Sequence, residues 1–116
     1  MVKTIEETVL GYLTEKLLPI KVHTEVPETP PESFITIEKT GRTQKHTLNR
    51  EILAIRSYGP SLLKAAELSE RVIENMLNIT ELINISKVEL ISEHNNTDIR
   101  KKQYRYQAVV AITHYN

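Results

Sequence analysis

The chain has 116 residues, with 15 lysines and arginines set against 15 aspartates and glutamates. That length suits one domain able to bury a single core, and the balanced charge supplies no overall field to draw the molecule to nucleic acid or to an anionic membrane. The absence of cysteine excludes a disulfide framework and a thiolate metal site, and fits a reducing cytosol.

The first residues, MVKTIEETVL, place glutamates where a signal peptide needs an apolar core, and no apolar run approaches the ~20 residues that span a bilayer. Secretion is not expected, so the glycosylation patterns beginning at Asn78, Asn84 and Asn95 read as chance matches. Thr4 and Glu7 form a candidate capping box, because hydroxyl and carboxylate can each satisfy an orphaned N–H at a helix start. Ile5, Val9, Tyr12, Leu13 and Leu17 follow at helical spacing as one apolar stripe, with Glu6, Glu15 and Lys16 turned to water and Pro19 as the stop.

From Ile20 the period changes to two. Ile20, Val22, Thr24 and Val26 alternate with Lys21, His23 and Glu25, the pattern of a half-buried strand. Pro27, Pro30 and Pro31 fix φ and lack amide protons, so the segment around them is expected to be an extended connector that holds its flanking strands at a fixed separation.

FITIEKT resumes the alternation, TGRTQKH supplies a turn with Gly41 at its positive-φ position, and REILAIRSYG returns as the second arm of a hairpin. Its buried face is left open, since Ile52 interrupts the alternation of Leu53, Ile55 and Ser57 with Ala54, Arg56 and Tyr58. Gly59 and Pro60 close the arm.

Ser61 is the expected N-cap of a second helix with an apolar face of Leu62, Ala65, Ala66, Leu68, Val72, Ile73, Met76 and Leu77. After a loop around 78–84, ISKVELIS and QYRYQAVVAITHY read as a second hairpin joined by EHNNTDIRKK. The order of elements lacks the strict alternation of a parallel sheet. It predicts one α+β domain over 1–116: a mostly antiparallel sheet of about four to five strands with two helices packed on one face.

Chemistry is sparse. His23, His46, His94 and His114 lack the i, i+4 spacing of a zinc site, and the pairing of His94 with Asp98 reads as a solvated turn. Three glycines form no phosphate-cradling loop, and Glu67, Glu70 and Glu74 sit on a wet helix face. No catalytic, cofactor-binding or metal residue is assigned, and no enzyme is expected.

Basic residues cluster in KTGRTQKH and RKKQYRYQ. The second interleaves Tyr104 and Tyr106 with Arg105, a pattern that can stack bases and meet phosphates, but alternation puts both rings on one face, where amphipathic packing explains them. Several alternating strands also imply sheet edges open to another chain, with the prolines blocking random pairing where they lie.

Taken together, EVPETPPESFITIEKTG, NREILAIRSYGPSLLKAAELSERVIENML and YRYQAVVAITH resemble the tail terminator (tail completion) proteins of long-tailed phages and their prophage relatives. The matching elements are Val26-Pro27 with Pro30-Pro31, Phe34 to Gly41, Tyr58 to Ser61, Ala65 to Val72, and Arg105 to Thr113, and none is a catalytic motif. The link HNNTDIRKK departs from the prolines and aspartates the family often carries there, so the resemblance assigns no partner contact to that loop.

The resemblance implies a subunit of a ring, usually hexameric, that caps the tail tube, stops its polymerisation and joins it to the head connector. Its partners are then copies of itself, the major tail tube protein and the connector or stopper, with DNA passing the lumen without sequence-specific contact and no membrane or cofactor involved. The place of action is the tail-neck region of the virion, reached from the host cytoplasm during assembly. Candidate interface residues are Pro30, Pro31, Gly41, Arg42, Lys45, Arg56, Tyr58 and Arg105. Rival readings are another neck component, an adaptor or stopper, or a small nucleic-acid-binding or ligand-binding α+β domain.

Overall fold

The computed structural model describes residues 3–115. In chain order it contains α1 (Ile5–Lys16), β1 (Lys21–His23), β2 (Phe34–Lys45), β3 (Leu48–Gly59), α2 (Leu62–Leu77), a 3-10 turn (Ile79–Glu81), β4 (Ile85–Asn95) and β5 (Tyr104–Tyr115). The strands form one sheet in the order β1-β2-β3-β5-β4. β1 runs parallel to β2, and every other neighbouring pair is antiparallel. The α+β architecture expected from the sequence is the one observed.

Both helices begin where local chemistry places them. The Thr4 hydroxyl accepts from the Glu7 amide at 3.1 Å while the Glu7 carboxylate accepts from the Thr4 amide at 3.1 Å, a complete capping box. Ser61 accepts from the Lys64 amide at 3.1 Å at the start of α2.

Residues directly opposite one another in a ladder share a face. Ile37 pairs with Ile55 and Ile55 with Ala108, while Leu53 pairs with Val110. Ile37, Leu53, Ile55 and Val110, with Ile35 and Ile112, meet Ile5, Val9 and Leu13 of α1 and Leu68, Val72 and Met76 of α2 in one core. Each Leu or Ile so buried contributes about 1.5–3 kcal/mol. Among the described residues, no helix lies on the other face of the sheet.

Several local expectations differ. The first strand is only Lys21–His23, and because it pairs in parallel with β2, the proline connector returns the chain to the starting end of the sheet. Its flanking strands are hydrogen-bonded neighbours, Lys21 opposite Phe34 and His23 opposite Thr36, so their fixed separation is that of a ladder pair.

The first hairpin does not turn at Gly41. β2 continues to Lys45, the turn is His46 and Thr47, and Lys45 pairs with Leu48. His46 takes the positive φ, 59°, which primed hairpin turns require at their first position. Gly41 lies instead at the register irregularity after Lys39, and its φ is not positive. An extra residue in one strand resets which side chains face the helices without ending the pairing.

β3 is the central strand and is buried on both faces, Leu53, Ile55 and Ser57 on the helix side and Ala54 and Tyr58 on the other. That dual burial is why its pattern did not select a face. The apolar stripe of α2 is narrower than its sequence implies: Leu62 and Leu77 are exposed, while Ser69 is buried. Glu6, expected in water, is half-buried.

Candidate functional site

The candidate interface residues fall into three places. Arg56, Tyr58 and Arg105 come together on the helix-free face, because Tyr58 pairs with Arg105 and Arg56 with Gln107 across the β3–β5 ladder. The Phe34 and Tyr58 rings stack with centroids 4.2 Å apart and planes 9° from parallel, and the Arg105 guanidinium lies 5.8 Å from the Tyr58 centroid. Arg105 also donates from Nε to the Asn96 carbonyl at 2.6 Å and from Nη1 to Gln103 at 3.0 Å.

Alongside, Arg56 donates from Nη1 to Glu38 at 2.9 Å and from Nε to Gln107 at 2.9 Å, and the Asn96 amide donates to the same Gln107 oxygen at 3.2 Å. A polar row thus crosses from β2 through β3 and β5 to the turn beyond β4. These arginines are engaged within the chain, where they set the shape of this face. Since side chains alternate along β5, Tyr104 and Tyr106 project to the side opposite Arg105, so the three do not form the mixed stacking surface that a single-strand binder uses.

Gly41, Arg42 and Lys45 lie in the far half of β2. Arg42 donates to Asn49 at 2.9 Å and to Gln44 at 3.2 Å, and Lys45 is exposed beside the turn. Pro30 and Pro31 form the third group, exposed in the connector.

The sheet is open on both flanks. β1 covers β2 only from Phe34 to Thr36, and among the described residues no strand lies outside Ile37 to Lys45. β4 is outermost on the other flank along its whole length, with Leu90 and Ile91 exposed. The ladders make β2 and β4 run in opposite directions.

Sequence reasoning missed one polar cluster. Glu51 is 4% exposed on the helix side of β3, accepts from His114 Nε2, and stands 3.2 Å from Lys39 Nζ, which reaches Glu6 at 3.8 Å. Asn49 pairs with His114 and Glu51 with Arg42, so strand register brings carboxylate and imidazole together as diagonal neighbours. A carboxylate at a position in phase with Leu53 and Ile55 was the available signal, and it required knowing the buried face.

This cluster borders an open pocket of about 770 Å³ between α1 and the far ends of β3 and β5. Burial raises the phenol pKa of Tyr12 on its wall, with Glu81 adding to the effect. His114 Nδ1 lies 3.2 Å from the Tyr115 carbonyl, so each ring nitrogen faces an oxygen of the chain itself. The arrangement ties the start of α1 to the β2–β3 hairpin.

Among the described residues, no group of three or more His, Asp or Glu side chains is placed to hold a metal ion, and no helix is long and apolar enough to cross a membrane. Comparison with family models and with curated proteins finds no match.

Proposed function

We propose that the chain is a structural subunit of a head-to-tail ring, of the kind that caps the tail tube of a long-tailed phage and joins it to the head connector. The observation that supports this reading is a sheet open on both flanks by outer strands of opposite direction, β2 over Ile37 to Lys45 and β4 over Ile85–Asn95. Unpaired edge N–H and C=O groups are templates for another chain.

Rotation about an axis parallel to the strands keeps every strand direction, so it brings β4 of one copy beside β2 of the next as an antiparallel neighbour. A repeated rotation that returns to its start closes a ring, and one that does not makes a filament. The ring number, six, and the identity of the tube and connector come from the resemblance of the proline segment and the RYQAVVAIT strand. The remaining surfaces, at the two ends of the strands, face the tube and the connector.

The test is to add purified chain to polymerising tail tube protein and measure tube length by electron microscopy. Tubes of arrested length with ring density at one end are expected. Unaltered elongation with no terminal density would overturn the proposal, and binding to the connector but not to the tube would assign the chain to an adaptor or stopper instead.

A further inference from the structure

The connector that returns the chain from β1 to β2 is acidic and extended. Thr24 to Ser33 contains Glu25, Glu28 and Glu32 and no basic residue. All three glutamates are exposed, as are Pro30 and Pro31, and Val26 is 49% exposed. Among the described residues, none of these glutamates forms an ion pair within the chain.

On the other flank, an apolar groove of about 410 Å³ lies between the start of α2 and the β4–β5 turn, lined by Leu62, Asn95, Thr97, Ile99 and Tyr104. Ile99 is 84% exposed and the neighbouring Leu63 68% exposed. The turn carries Arg100, Lys101 and Lys102, all exposed and, among the described residues, none in an ion pair. Asp98, whose carboxylate accepts from the backbone amides of Arg100 and Lys101, offsets only one of the three charges, so the turn stays net positive.

Both features lie at one end of the sheet. The connector ends at Phe34, which pairs with Tyr58, which pairs with Arg105, and the groove residue Tyr104 pairs with Gly59 beside it. Connector and groove therefore stand at the same height on opposite flanks, where a rotation about the strand direction brings one against the other.

We infer that the proline connector of one copy docks in the basic-rimmed groove of the next. Val26 and the prolines supply the apolar side of the contact, against Leu62, Ile99 and Tyr104, while Glu25, Glu28 and Glu32 meet Arg100, Lys101 and Lys102. Prolines restrict the connector before it binds, so less chain entropy is lost on docking, and Pro27, Pro30 and Pro31 themselves offer no amide proton that the groove must satisfy. Only closure of this contact into a ring rests on the function proposed above.

Charge exchange tests it. One variant carries Glu25→Lys, Glu28→Lys and Glu32→Lys, the other Arg100→Glu and Lys101→Glu, with unfolding curves confirming that both fold. Sedimentation of the wild type should show concentration-dependent association that weakens with salt, and each variant alone should associate about tenfold more weakly or less. An equimolar mixture should recover association, since each reversed connector then meets a reversed groove.

If either variant associates like the wild type, the docking contact is wrong while the ring remains open to tube capping. A wild type that stays monomeric over the same concentrations overturns the contact as well. Loss of tube capping with self-association intact gives the groove to the tube protein and also overturns it.

Discussion

The Ser69 hydroxyl donates to the Glu93 carboxylate at 2.6 Å, tying the buried side of α2 to the outermost strand of the sheet. Ser69 is fully buried, whereas Glu93 is exposed and can regain water. Ser69→Ala should therefore cost only about 1 kcal/mol of global stability. Its larger effect should be local: the amides of β4 exchange faster with solvent while those of β3 do not. Equal exchange rates in β4 of variant and wild type would show that this bond does not anchor the edge.

Gly59 is a glycine for space rather than for backbone freedom. A Cβ there would stand 2.7 Å from the Ala65 nitrogen and 3.0 Å from the Lys64 carbonyl carbon, both backbone atoms of the first turn of α2. Gly59→Ala must push the helix start outward, at a cost of about 1–3 kcal/mol. At Gly41 the nearest atom to an added Cβ is Ile52 Cγ1 at 4.0 Å, so Gly41→Ala should be neutral or raise stability by up to about 1 kcal/mol, as expected for glycine replaced in a strand. Urea midpoints that rank the two variants the other way would contradict this packing.

Glu51, Lys39 and His114 should behave as a unit. Glu51→Gln removes the charge that Lys39 and His114 share, but both partners retain some solvent contact, their side chains being 32% and 13% exposed. The expected loss is about 1–3 kcal/mol, below that for breaking a fully buried pair. In a double-mutant cycle of Glu51→Gln with His114→Gln, the two changes should be coupled by about 0.5–3 kcal/mol. Additive losses in urea unfolding would mean that the contact carries no net energy.

The features legible in the sequence are those decided within one helical turn or one strand. Thr4 with Glu7 and Ser61 with Lys64 succeed because donor and acceptor are close neighbours in the chain. The turn at His46 was misplaced because a bulge after Lys39 lengthens β2 past Gly41, and register is fixed by pairing with β3 rather than by the local residues. Arg56 and Gln107 are 51 positions apart, so only the sheet order reveals that Arg56, Tyr58 and Arg105 share a face. Glu51 escaped notice for a related reason: a central strand buried on both sides loses the alternation that would have marked a charge on its apolar face.

The capping box makes α1 sensitive to acid. The Glu7 carboxyl is held below its ordinary value of 4.5, chiefly by the bond from the Thr4 amide and next by the Thr4 hydroxyl. A lowered native pKa means that folding favours the carboxylate, so its stabilisation is complete above that ordinary value and disappears as the pH falls through the native one. Wild type and Glu7→Ala should therefore differ most in Tm near neutral pH, and the difference should narrow once Glu7 is protonated. Thermal melts followed by circular dichroism from about pH 7 to about pH 2 measure this directly. A gap that stays constant over the whole range would show that Glu7 stabilises the helix by contacts indifferent to its charge, and would remove the carboxylate from the cap.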